Sequence, residues 1–169
     1  FLSLEEEEAT SLELEVDYSF LEEEPSGAML RIIEPYDCYA SSSLSDSDSC
    51  YNLTDGDYTG WKDAGNSCLD ETLTFYFDKT YFIEFIVISN FEKESEFQEV
   101  DKINGFTITY PYTESEEAET THFLELDNFE QWFDINTSVT EMRFEIFSNY
   151  DAPGTVVCGF QEIRFYGKD

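Results

Sequence analysis

"LDETLTFYFDKTYFIEFIVISNF", residues 69–91, is dense in β-branched and aromatic side chains, the composition of buried strands rather than of surface helices. Asp78 and Lys79 interrupt it, so the run reads as two strands, "LDETLTFYF" and "TYFIEFIVISNF", about a tight, hairpin-like junction. Upstream, "AMLRIIEPY" reads as an earlier strand that ends near Pro35. Downstream, "INGFTITYPY" resumes the strand signal, and "VTEMRFEIFSNY" sets Met142, Phe144 and Ile146 against Arg143, Glu145 and Phe147. That is the two-residue period of an extended chain with one face buried. "GFQEIRFYG" reads as the last strand. Between these lie a charged excursion, "EKESEFQEVDK", an acidic turn or loop, "TESEEAETT", and the mixed stretch "HFLELDNFEQWFDI", where Phe123 and Leu126 mark short strands. Many short strands with turn signals between them and no convincing helix predict an all-β, two-sheet sandwich.

The 32 residues from Asp37 to Cys68 are rich in Ser, Asp, Gly and Asn, which is turn chemistry. A connection of that length in a compact domain points to a functional loop, a tether or a metal site. Four cysteines, Cys38, Cys50, Cys68 and Cys158, lack the Cys-x-x-Cys spacing of zinc and redox sites. They read as disulfides. Three connectivities fit; the preferred one joins Cys38 to Cys50 across the Ser/Asp-rich loop and Cys68 to Cys158 between distant loops. Paired cysteines imply an oxidising compartment. Asn52-Leu53-Thr54 and Asn136-Thr137-Ser138 are glycosylation acceptors, expected on surface loops. With a first residue, Phe1, that fits removal of a secretory signal, these features predict a secreted, extracellular or cell-surface protein.

The chain carries 39 acidic residues against 8 Lys+Arg, a net charge of −31. That field repels phosphate backbones and anionic lipid heads, which excludes nucleic acid and membrane surface as expected partners. No apolar run approaches the ~18–20 residues of a membrane span, since Glu84 breaks Phe82–Ile88. Hydrophobic residues still make up 41% and aromatics 17% of the 169 residues, enough for one folded domain.

The N-terminal stretch stands apart. Leu12, Leu14, Val16, Tyr18 and Phe20 alternate with polar residues over 11–20, between Glu5–Glu8 and Glu22–Glu24, and Pro25-Ser26-Gly27 closes the stretch. Residues 1–27 therefore read as an acidic arm carrying an extended strand, and 28–169 as the sandwich. Burying five apolar side chains gains at most about 7–15 kcal/mol, while ordering ten backbone residues costs about 10–20 kcal/mol. The arm must thus find a sheet edge as well. Donation of residues 11–20 to a neighbouring copy gives a head-to-tail homo-oligomer, a structural filament built by strand addition. An acidic helix is the competing reading of the arm, since Leu12, Val16 and Ser19 also fit helical spacing.

Catalytic signatures are few. The sole histidine, His122, lies beside an acidic stretch and reads as a solvated or strand-edge residue; there is no Gly-x-Ser-x-Gly, no His-Glu-x-x-His and no phosphate-cradling glycine loop. A non-catalytic role is expected.

"YASSSL", "YNLTDGDYTGW", "LTFYFDKTYFIEFIVISN", "MRFEIFSNY" and "FQEIRFYG" follow one another in an order that resembles the discoidin, or coagulation-factor type C, superfamily of galactose-binding-like jelly rolls, over about residues 28–169. The nearest look is to the glycan-binding module attached to some secreted NADases. The resemblance implies an eight-stranded antiparallel jelly-roll β-sandwich that binds sugars through loops at one end. It also implies a structural Ca2+ held by Asp55, Asp57 and Glu162, and it offers Trp61 as either a sugar platform or a core residue. Carbohydrate binding and calcium-dependent adhesion are the alternatives to the filament. Cys68, Cys158 and "APGTVVCGF" depart from the glycan-binding pattern.

Overall fold

The structure, a computed structural model, describes residues 29–64, 68–90, 100–111, 117–125, 130–150 and 157–169. Among them the chain forms nine strands: β1 (Arg31–Ile33), β2 (Asp37–Ala40), β3 (Trp61–Lys62), β4 (Thr72–Ser89), β5 (Val100–Pro111), β6 (Glu117–Phe123), β7 (Glu130–Asn149), β8 (Val157–Phe160) and β9 (Glu162–Lys168). The all-β expectation holds. The implied count of eight does not, because short β1 and β3 each pair with a longer strand.

β4 is the strand that organises both layers. Its first half pairs with β2 and with β7 at Thr72–Tyr76, and its second half pairs with β9 and again with β7 at Tyr81–Ser89. Asp78 and Lys79 therefore do not turn a hairpin. Both halves run antiparallel to the same partner, and the register shift between Tyr76 and Tyr81 is a bulge whose residues Asp78, Lys79 and Thr80 face solvent. Asp78 Oδ1 accepts the Tyr81 hydroxyl at 2.9 Å and closes it. Asp-Lys suits a bulge as well as a turn, since both require exposed, unpaired backbone. A second shift at Ile83/Phe85 changes the phase of alternation, so Ile83, Ile86 and Ile88 all reach the core.

These bends let one continuous sheet serve two facing layers. One layer runs β1-β9-β4-β7 through the second half of β4; the other runs β2-β4-β7-β5-β6 through its first half. Rings from the two layers meet between them. Phe165 of β9 packs edge-on against Phe75, Phe77 and Phe144 at 5.1–6.4 Å, and Phe106 of β5 meets Phe133 and Phe160 at 5.5 and 6.0 Å. Edge-to-face pairs at such separations contribute about 0.5–1.5 kcal/mol each beyond burial.

Several stretches read as loop carry structure. The Asp37–Cys68 segment contains β2, β3 and two 3-10 turns, Asp46–Asp48 and Cys50–Leu53. The acidic "TESEEAETT" supplies most of β6, an outer strand that leaves its even positions half-covered and its odd ones exposed. β5 begins at Val100, inside the charged excursion, and β7 begins at Glu130, inside the mixed stretch. β5 also pairs parallel with β8, an exception to the expected antiparallel pattern. "GFQEIRFYG" is divided at Gln161 between β8 and β9. The arm residues Leu12, Leu14, Val16, Tyr18 and Phe20, and Leu126, lie outside the described residues.

Candidate functional site

The chain gathers its polar chemistry at one end of the sandwich, where β4 ends, β9 begins and the loop at 54–60 crosses. That loop is built from a local turn. Asp55 Oδ1 accepts the Asp57 N–H at 2.8 Å, and Gly56, Tyr58 and Gly60 all take left-handed backbone, φ +77°, +55° and +76°. Short polar residues and glycine tolerate that coil where bulkier residues are strained.

Glu162 enters the same place from the start of β9, opposite Ser89 of β4. It is 1% exposed, its carboxylate lies near the Gly56 N–H, and its Oε2 has no hydrogen-bond partner among the described residues. Burial first, and then the charge of Asp55, push its pKa up to about 7; Arg164 and the Gly56 N–H oppose the shift, and Asp57 adds to it. A buried carboxylate with an orphaned oxygen, facing two more carboxylates, is short of positive charge. Hard cations such as Ca2+ take oxygen ligands from carboxylates and loop carbonyls, so the donor set fits the expected ion. Glu162 is thus not the solvated strand residue its surroundings in sequence suggest.

Further orphaned atoms lie beside it. Ser89 Oγ, Asn90 Oδ1 and Gln161 Oε1 are buried without partners among the described residues. Gln161 bridges the strands, its N–H donating to Ser89 O at 2.9 Å and its Nε2 to Tyr58 O at 2.9 Å. A buried polar group left unpaired costs about 1–3 kcal/mol, so several together at one end mark a place equipped for a polar ligand. Nothing local in the sequence separates these residues from ordinary strand-end polars.

The cysteines pair as Cys38–Cys50 and Cys68–Cys158, closing 12 and 90 residues of sequence. The second bridge ties the loop after β3 to β8, and Asp63 seals it. Buried at 1% exposure, Asp63 accepts the Cys68 N–H at 3.1 Å and the Cys158 N–H at 2.8 Å. Asp63, Cys68 and Cys158 sit close enough to resemble a metal cluster, but sulfurs joined in a disulfide are not thiolate ligands. Sequence reasoning missed Asp63; its only signal is an acid two residues after a tryptophan.

Trp61 is wholly buried and donates its indole N–H to Ser42 O at 2.8 Å. It is a core residue, not a sugar platform. Gly159 of β8 is required beside it, since a Cβ there would lie 1.9 Å from Trp61 O. His122 stacks on Phe106 at 5.5 Å and bonds Thr120 Oγ1 at 2.9 Å, and burial lowers its pKa. It is a half-buried residue of an outer strand, held by a threonine hydroxyl and two phenylalanine rings. Asn52 donates its Nδ2 to Ser47 O and Gly60 O at 2.6 and 3.1 Å. Asn136 is exposed, with left-handed backbone, inside β7 instead of on the expected loop.

No known family's sequence profile matches the chain, and no curated protein matches it. Solved structures do. The family 32 carbohydrate-binding module of NanJ from C. perfringens, solved with galactose, superposes with a TM-score of 0.65 at 15% identity, covering 82% of this chain and 99% of that one. A chitosan-binding module of a chitosanase/glucanase from Paenibacillus sp. IK-5 gives 0.59 at 14% identity, over 80% of this chain and 96% of that one. An F5/8 type C domain from Bacteroides fragilis gives 0.55 at 16%, over 79% and 91%. These modules are matched nearly end to end, and the chain shares their fold, a jelly-roll β-sandwich.

Proposed function

We propose that the chain is an extracellular, non-catalytic carbohydrate-binding module, which holds a glycan at the sandwich end described above and carries Ca2+ on Asp55, Asp57 and Glu162 as a structural ion. The observation that carries the reading is the likeness of the sandwich to solved carbohydrate-binding modules, joined by buried polar atoms on Ser89, Asn90 and Gln161 that have no partner among the described residues. Amide and hydroxyl groups held rigid and unsatisfied are suited to sugar hydroxyls, which donate and accept in the same plane. Similar modules solved with galactose, an unsaturated mannuronic acid and a GalNAc-galactose disaccharide support it. Two disulfides support an oxidising, extracellular compartment. A glycan array probed with the full chain tests the proposal. Reproducible binding to one sugar class, lost in Asn90→Ala and Gln161→Ala, is expected; no binding to any glycan overturns it.

A second reading, self-assembly through the arm, is favoured by the free edge of β7. Between Glu130 and Thr140 this strand pairs with β4 on one side, and no described strand pairs with the other. An open edge accepts an added strand through main-chain hydrogen bonds. Residues 11–20 of a second copy would supply one. Val16→Glu in the full chain should abolish concentration-dependent assembly in sedimentation; assembly that persists unchanged refutes this reading.

A further inference from the structure

The outward face of the β2-β4-β7-β5-β6 layer is hollowed into a cleft of about 340 Å3, inside the range of small-molecule sites, about 300–1,000 Å3. Strand register sets its floor. Tyr39, Thr74, Arg143 and Thr109 stand side by side on β2, β4, β7 and β5. In the next row Tyr76 lies beside Glu141, and Pro111 beside Glu117. All point away from the core because their chain neighbours Leu73, Phe75, Ile108, Met142 and Phe144 are buried in it.

Three features give this cleft a chemistry. Thr74 is only 9% exposed, lines the cleft, and its hydroxyl makes no hydrogen bond to any described residue. Tyr39 and Tyr76 offer rings at one end, Tyr39 at 59% exposure. Glu117 and Glu141 bring carboxylates with no ion pair among the described residues, while the Arg143 guanidinium lies 3.7 Å from Glu145. The cleft is therefore net negative, within a chain of charge −31. Uronates and sialylated sugars are repelled by that field, and neutral sugars gain nothing from it. An ammonium group gains charge-assisted hydrogen bonds from the carboxylates and a cation–π contact from the tyrosines.

We propose that this cleft is a second binding site, which takes an oligosaccharide of aminohexoses carrying free ammonium groups. Glu117 and Glu141 bind the ammonium groups, Tyr76 and Tyr39 pack against the sugar ring, and Thr74 with Thr109 meets ring hydroxyls. The site goes beyond the function proposed above and stands apart from the sandwich end, since Ser89 and Asn90 lie at the opposite end of β4 from Thr72 and Thr74.

Calorimetric titration of the full chain at pH 6 with a glucosamine hexamer, its fully N-acetylated counterpart and a hexauronate tests it. The glucosamine hexamer should bind, with the N-acetylated form about tenfold weaker or more and the hexauronate not binding. Glu117→Gln/Glu141→Gln and Tyr76→Ala should each weaken the glucosamine hexamer about tenfold, and Thr74→Val severalfold. Glu34→Gln/Asp46→Asn, which removes the same charge elsewhere, should leave it unchanged. No binding of the glucosamine hexamer, equal binding of all three sugars, or equal loss in the control charge pair overturns the proposal. Loss in Asn90→Ala alone places all binding at the sandwich end and sinks this site while leaving the proposed function standing.

Discussion

Glu162→Gln gives the sharpest reading of the candidate calcium site. In metal-free protein, Glu162 has a pKa of about 7 against an ordinary value of 4.5. The folded state holds this proton more tightly than the unfolded one. Stability is therefore greatest below the ordinary value, falls as pH rises through the window from 4.5 to about 7, and levels off above it. The shift of roughly 2.5 units corresponds to about 3 kcal/mol at 1.36 kcal/mol per unit, or about 6–12 °C in Tm for a chain of this size. Glutamine keeps the size and shape of the side chain and never ionises. In EDTA, wild type and variant should match near pH 4.5 and separate by about 3 kcal/mol at pH 8, with the variant the more stable. Adding Ca2+ closes most of that gap, because a cation holds the carboxylate ionised. At 100 times its Kd the ion contributes about 2.7 kcal/mol to wild type, and far less to Glu162→Gln. Urea denaturation across that pH range, with and without Ca2+, measures all four states. Curves for wild type and variant that stay parallel from pH 4.5 to 8, or an equal response of both to Ca2+, would refute the reasoning.

Removing the Cys68–Cys158 bridge frees 90 residues of sequence and should cost about 4–5 kcal/mol; removing Cys38–Cys50, which spans 12, should cost about 3, both read by denaturant midpoint in Cys→Ser pairs. A larger loss from the shorter bridge contradicts the chain-entropy argument. Trp61→Ala should cost about 3–5 kcal/mol through the cavity it leaves, without changing glycan specificity, and a specificity change would return Trp61 to the ligand site. In a glycosylating secretory host, peptide mapping should find glycan on exposed Asn136 and none on Asn52, whose amide is held by two carbonyls. Occupancy of Asn52 would show that those hydrogen bonds do not form.

Strand periodicity was legible where one face is buried and the other wet. Met142, Phe144 and Ile146 are all fully buried, as their alternation with Arg143 and Glu145 requires. It failed at β6, where Glu117, Glu119 and Thr121 are exposed and the other face is only partly covered, so no apolar stripe marks the strand. The Asp78–Lys79 bulge was read as a turn because both need the same residue chemistry; only the partner strand distinguishes them, and that partner, Val139–Glu141 of β7, is distant in sequence. Short β2 and β3 vanish inside the Ser/Asp-rich segment because strands of four and two residues carry no period. Asp55, Asp57 and Glu162 were legible through resemblance alone. Burial of Glu162 depends on contacts between β9 and the loop at 54–60, which no local pattern encodes, and the same holds for Ser89, Asn90, Gln161 and Asp63.

Titration of the intact chain with the oligosaccharide class selected on a glycan array, in wild type and in Asn90→Ala and Gln161→Ala, tests the carbohydrate-binding reading most directly. The account predicts saturable binding by wild type and its loss in both variants, with folding unchanged by circular dichroism. Absence of saturable binding to every glycan class by folded, calcium-loaded protein would contradict it.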